Sequence, residues 1–161
     1  MAEGRLKIVV FGSFNAGKSS FIQALDSGSR HIEATSKEGA TTVAFDFGRL
    51  QVRDWAVYLF GTPGQERFEF VREILARGMD GAIIVVDATR GVDAMTRHLY
   101  DRLKELEVPL AFMANKCDCP GAAPGAISRD LPGETVYPIS ARNGENVYAA
   151  LDAFVATLVA G

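Results

Sequence analysis

Apolar, β-branched runs alternate along this chain with segments whose apolar residues recur at helical spacing, and no internal repeat, low-complexity tract or linker interrupts them. The pattern predicts strands near 5–11, 42–52, 55–61, 81–87, 109–115 and 135–139. Helices are expected over about 17–27, 66–77, 93–107 and 146–159, with a shorter one near 125–131 where Pro120, Pro124 and Pro132 break the stretch. Strand–helix–strand crossovers force parallel pairing, so the expected class is α/β, a mostly parallel six-stranded sheet with helices on both faces. Between residues 42 and 61 no helix fits, and these two strands are expected to form an antiparallel hairpin turning at Arg53-Asp54. With that turn, Asp46 falls opposite Gly61 and projects from the same face; a one-residue slip would send it to the other. Ligands of such sheets gather at the carboxyl ends of the parallel strands, where Gly12, Gly61, Asn115 and Ser140 all fall.

Length and composition narrow the classes. At 161 residues the chain suits one domain, and 48% apolar against 23% charged residues argues against disorder. A net charge of −3 gives no bulk attraction to nucleic acid or anionic membrane, so the expected partners are proteins. Cys117 and Cys119 are too close for a relaxed disulfide and too few for a metal cage, which fits a reducing cytoplasm. No apolar run approaches the ~20 residues of a spanning helix. Position 2 is not glycine and Leu158-Val159-Ala160-Gly161 holds no prenylatable cysteine, so no intrinsic membrane anchor is expected.

The chemistry is concentrated in three segments. Gly12-Ser13-Phe14-Asn15-Ala16-Gly17-Lys18-Ser19 follows the first apolar run and precedes a helix, the setting of a phosphate-binding loop. Gly12 and Gly17 let the backbone wrap a β-phosphate, the helix start offers N–H groups and the positive dipole end, Lys18 is placed to reach the β- and γ-phosphates, and Ser19 to ligate Mg²⁺. Phe14, Asn15, Ala16 and Ser20 complete the stretch expected against the nucleotide. Asn115-Lys116-Cys117-Asp118 follows a strand, and its Asp118 can accept from the guanine N1–H and 2-amino groups. Adenine lacks the second donor, and an unpaired buried carboxylate is costly. Asn115 would brace the loop, the Lys116 stem would cover the ring, and in Ser140-Ala141-Arg142 the Ala141 N–H would serve guanine O6.

These segments resemble those of the Ras-like small GTPases, over nearly the whole chain. The resemblance implies a three-layer P-loop GTPase fold (G domain) that binds GTP or GDP with Mg²⁺, hydrolyses GTP slowly and acts as a switch toward effector and regulator proteins, and a monomer is expected. By that likeness Thr42 binds Mg²⁺ and senses the γ-phosphate, with Thr41 the alternative; in Gly61-Thr62-Pro63-Gly64-Gln65-Glu66-Arg67-Phe68, Gly64 contacts the γ-phosphate and Gln65 orients the attacking water. Gln65, Lys18 and Thr42 are thus the implied catalytic set. Most of the family carries aspartate at Gly61, and its loss removes a charge from the metal site. Asp46, if opposite Gly61, offers a substitute, making Ser19, Thr42 and Asp46 the candidate metal residues; a solvated strand carboxylate is the competing role. The missing aspartate and the Asp46-Phe47 pair are similar to the bacterial MglA-type branch, which implies a roadblock-family regulator. Phe14 stands where Ras has a glycine and would crowd an inserted arginine. Asn15 is open to a loop-orienting or a turn-forming role, Arg67 and Arg72 to charge supply or solvation. His31 and His98 have no ligand cluster around them, and Trp55, Phe45, Phe47 and Phe68 are open to an effector surface or to core packing. A GTP-bound scaffold that does not hydrolyse is the rival function, favoured by Gly61 and Phe14.

Overall fold

The computed structural model describes residues 4–13, 15–35, 42–61 and 78–160, and of 31–35 and 42–45 the backbone alone. Its elements are β1 (Gly4–Gly12), α1 (Lys18–Leu25), β2 (Arg30–Thr35), β3 (Thr42–Val52), β4 (Trp55–Gly61), β5 (Gly81–Asp87), α2 (Ala94–Glu105), β6 (Leu110–Asn115), α3 (Pro124–Asp130), β7 (Val136–Pro138) and α4 (Val147–Val159). They form a sheet of order β2-β3-β4-β1-β5-β6-β7. All six predicted strands are present, and the expected count is corrected to seven by β2 at the edge. The helix expected over 66–77 lies outside the described residues.

Only β3 runs against its neighbours among these strands, pairing antiparallel with both β2 and β4, while β4, β1, β5, β6 and β7 pair in parallel. The hairpin register is the one expected, with Val52 opposite Trp55 and Asp46 opposite Gly61. Arg53 makes the turn in a left-handed conformation, φ 56°. Its guanidinium reaches across to Asp152 on α4, Nε to Oδ1 at 2.9 Å and Nη2 to Oδ2 at 3.3 Å.

Alternation along the strands divides the core in two. Leu6, Ile8, Val10, Ile83 and Val85 face one side, covered by Phe21 and Ile22 of α1 and by Leu151, Phe154 and Val155 of α4. Val9, Phe11, Ala82, Ile84 and Val86 face the other, under Leu99 and Leu103 of α2 and Ile127 of α3. Each large side chain so buried contributes roughly 1.5–3 kcal/mol, enough to fix the register of every central strand. Trp55 packs against the first core and over Gly4, where an added Cβ would strike its ring. Phe47 is half-buried, its ring 5.2 Å from Phe60 and 6.2 Å from Tyr58. Packing accounts for Trp55 and Phe47; the side chain of Phe45 and all of Phe68 lie outside the described residues.

Candidate nucleotide-binding site

The carboxyl ends of β1, β5 and β6 open on one crevice, and the loop after β1 is its floor. Asn15 takes a left-handed conformation, φ 67°, which asparagine tolerates better than most residues, so the turn-forming role is met. Gly17, at φ 105° and ψ 27°, is the N-cap of α1. A Cβ there would both strain the backbone and collide with the Asn115 amide. The first turn of α1 holds no acidic side chain, leaving its positive end for an anion. Lys18 is buried, and its ammonium donates to the Gly12 carbonyl at 3.0 Å and the Ser13 carbonyl at 3.5 Å.

Asn115 joins three loops. It is 3% exposed; its Nδ2 donates to the Ala16 carbonyl at 2.9 Å while its Oδ1 accepts from the Ala141 N–H at 2.9 Å. The expected bracing role is therefore wider than one loop, tying the phosphate loop to the Ser140-Ala141-Arg142 segment. Ser140, also buried, donates its hydroxyl to Asp118 Oδ1 at 2.8 Å and so orients that carboxylate. Lys116 donates to Asp87 Oδ2 at 3.0 Å. Between these loops and α1 lies a cavity of about 610 Å³ lined by Gly17, Ser20, Gln23, Ala24, Asn115, Lys116, Asp118, Cys119, Ala141 and Arg142. That volume is ordinary for a small-molecule site, about 300–1,000 Å³. Gln23 and Ala24 were not singled out from sequence; they face the cavity because they lie one turn beyond Ser19 and Ser20 on α1. Cys117 and Cys119 are free thiols, and burial pushes the Cys117 thiol up.

Next to the phosphate end, the Ser19 hydroxyl donates to Asp46 Oδ2. A Cβ on Gly61 would stand 3.4 Å from Asp46 Cβ and 2.6 Å from Ile22 Cδ1, so the space beside the glycine is filled by the end of Ile22 and bordered by the Asp46 side chain. Hydroxyl and carboxylate oxygens are the hard donors Mg²⁺ takes, usually one or two from protein with the rest from water and phosphate. The described residues hold no group of three His, Cys, Asp or Glu side chains suited to a metal. Thr42 opens β3 opposite Thr35. Its side chain, and all of Phe14, Thr41, Gly64, Gln65, Arg67 and Arg72, lie outside the described residues.

Sequence reasoning passed over two carboxylates behind the crevice. Asp87 ends β5 and accepts from Thr89 as well as Lys116; Asp93 caps α2, accepting from the Thr96 N–H at 2.8 Å and from the Ser13 hydroxyl. Burial pushes both carboxyls up, and hydrogen bonds from Thr89 and Lys116 to Asp87, and from Ser13 and Thr96 to Asp93, outweigh it, leaving both below the ordinary aspartate range. An apolar strand ending in aspartate, and an aspartate directly before a helix, were the available signs.

The chain is 35% identical over 118 residues to an uncharacterized protein of Methanocaldococcus jannaschii, covering 73% of this chain and 74% of that one. It is 31% identical over 157 residues to translation initiation factor IF-2 of Alkaliphilus oremlandii, covering 90% of this chain but 21% of the factor. Translation elongation factor SelB of Methanococcus maripaludis, solved with the GTP analogue GppNHp, superposes with a TM-score of 0.74 at 22% identity, over all of this chain and 35% of SelB. The G domain of the Thermotoga maritima FeoB iron transporter superposes at 0.70 and 22% identity, over 94% of this chain and 97% of that domain. The two structures share the fold. A family model for the elongation factor Tu GTP binding domain matches residues 3–160, and the chain belongs to that family, a P-loop GTPase G domain.

Proposed function

We propose that residues 1–161 form one G domain that binds GTP with Mg²⁺, hydrolyses it slowly to GDP and presents different surfaces in the two states. The observation that carries this reading is the Ser19–Asp46 contact in the register that sets Asp46 opposite Gly61. It supports a metal site of Ser19, Asp46 and Thr42 in a chain without the usual aspartate. Mg²⁺ held there would supply positive charge against the β- and γ-phosphate oxygens.

The protein's own groups do the rest. The α1 N-terminus and Lys18 bind the phosphates, with Lys18 exchanging its carbonyl partners for phosphate oxygens. Asp118, aimed by Ser140, reads the guanine edge, and the Ala141 N–H, which here donates to Asn115 Oδ1, would serve guanine O6 by sharing or giving up that bond. Gln65 orients the attacking water and Gly64 contacts the γ-phosphate, by likeness to small GTPases. Hydrolysis without an arginine supplied by a partner is slow in such sites.

Placement in the MglA-type branch rests on Gly61 and the Asp46-Phe47 pair, and brings with it effector proteins and a roadblock-family regulator as proposed partners. No helix among the described residues is long and apolar enough to cross a membrane; a cytoplasmic, monomeric protein is the reading we adopt. Single-turnover GTP hydrolysis with Mg²⁺, for the native chain beside Gln65→Ala, tests the function. Slow phosphate release abolished by the substitution supports the switch; GTP that stays bound and intact in both proteins supports the scaffold.

A further inference from the structure

Lys18, Asn115, Ser140 and Thr96 are the buried polar or charged residues among those described, and three of them belong to the nucleotide loops. Thr96, 1% exposed, does not. It lies behind the crevice, with its hydroxyl 3.5 Å from that of Ser13 and its N–H on Asp93. The Ser13 hydroxyl straddles both Asp93 oxygens, at 2.8 and 2.7 Å. The same residue's carbonyl accepts from the Ala16 N–H at 3.0 Å and from Lys18 Nζ at 3.5 Å. Whatever holds the Ser13 side chain therefore also sets the turn of the phosphate loop and the resting place of its lysine.

Six residues before Asp93, Asp87 grips the other end of the site. Its Oδ2 accepts from Lys116 at 3.0 Å, and the Ala88 N–H donates to the Asn115 carbonyl at 2.9 Å. The segment between is tightly wound: Asp87 Oδ1 accepts the Thr89 N–H at 2.9 Å, and the Asp87 carbonyl accepts from Arg90 at 3.0 Å and Gly91 at 2.9 Å. Gly91 closes the turn at φ 86°, a conformation that favours glycine.

We propose that the segment from Asp87 to Asp93 is a clamp that fixes the spacing between the phosphate loop and the guanine loop, with Asp87 and Asp93 as positioning residues for the nucleotide. The inference rests on the nucleotide reading above. Neither carboxylate lines the cavity; each holds a residue of a loop assigned to the nucleotide, Ser13 for Asp93 and Lys116 for Asp87. Because Asp93 also caps α2, the N-terminus of that helix is tied to the phosphate loop through a single side chain.

The test loads the full chain with mant-labelled GDP and follows its release into excess unlabelled GDP. Ser13→Ala and Asp87→Asn are each expected to release about tenfold faster than the native protein, the scale of one lost hydrogen bond to a charged group. Asp93→Asn keeps an acceptor for both Ser13 and Thr96, and is expected within about twofold of native. Ser13→Ala leaves the α2 cap in place, so its thermal midpoint without nucleotide should fall by no more than about 6 °C, the scale of that one hydrogen bond, and the chain should stay folded at the assay temperature, separating positioning from folding. Should Asp87→Asn fail to fold, Ser13→Ala alone decides. Native-like release from Ser13→Ala overturns the clamp while nucleotide binding stands. A native chain that retains no mant-GDP removes the nucleotide reading, and the clamp falls with it.

Discussion

Replacing Asn115 separates a brace between loops from a surface turn. Its amide fills two roles at once, donating to Ala16 and accepting from Ala141, both at 2.9 Å, at 3% exposure. Asn115→Ala removes two hydrogen bonds, each with a net contribution of about 0.5–1.5 kcal/mol, and leaves a carbonyl and an N–H to find water. The adjoining cavity of about 610 Å³ can supply that water, so the loss should stay near 2–3 kcal/mol rather than the larger cost of sealed, unpaired groups. In a chain of this length that is roughly a 5–10 °C fall in the thermal midpoint without nucleotide. Asn115→Asp is nearly isosteric but turns a donor into a second acceptor facing the Ala16 carbonyl, so at neutral pH it should be the more damaging substitution. At low pH the introduced carboxyl can protonate and donate, and the gap between the two variants should narrow. Thermal unfolding monitored by circular dichroism at two pH values measures both effects. An aspartate variant more stable than the alanine variant at neutral pH, or an alanine variant within 2 °C of native by the same measure, would refute the reasoning.

Other consequences can be measured independently. Gly17→Ala should lose nucleotide binding and about 1–2 kcal/mol of stability, since φ 105° disfavours any side chain and its Cβ meets Asn115; equilibrium denaturation and mant-GDP titration check both. Gly61→Asp, which restores the residue common in the family, should not improve Mg²⁺ binding: its Cβ meets Ile22 Cδ1 at 2.6 Å and a second carboxylate would crowd Asp46, at an overpacking cost of about 1–3 kcal/mol read by urea unfolding. Asp87 and Asp93 titrate below their ordinary value in the folded chain, so the stability they contribute is present above about pH 4 and lost as pH falls through the lower folded values; Asp87→Asn should flatten the acid limb of stability against pH.

The legible parts of this chain were those encoded by neighbours in sequence. A two-residue turn between alternating strands sets the β3–β4 register, and with it the pairing of Asp46 with Gly61. The phosphate loop and the Asn115–Asp118 segment were recognisable because their spacing is set by the ligand they wrap. β2 was missed because Arg30-His31-Ile32-Glu33-Ala34-Thr35 is short and mostly polar, and it is strand through pairing with β3 at the sheet edge rather than through its own apolar pattern. The clamp was not legible at all: Ser13 and Asp93 lie 80 positions apart, and the fold alone brings a hydroxyl from one strand end to the cap of a distant helix.

The relocated carboxylate is tested most directly by the Mg²⁺ dependence of mant-GTP release, native chain against Asp46→Asn. The substitution can keep an oxygen acceptor for the Ser19 hydroxyl while it removes the charge and turns the other oxygen into an NH2 donor. The account predicts that Asp46→Asn needs at least about tenfold more Mg²⁺ to slow release to the native rate, with the two curves meeting at saturating metal. Superimposable curves would contradict it and return Asp46 to the role of an ordinary strand residue.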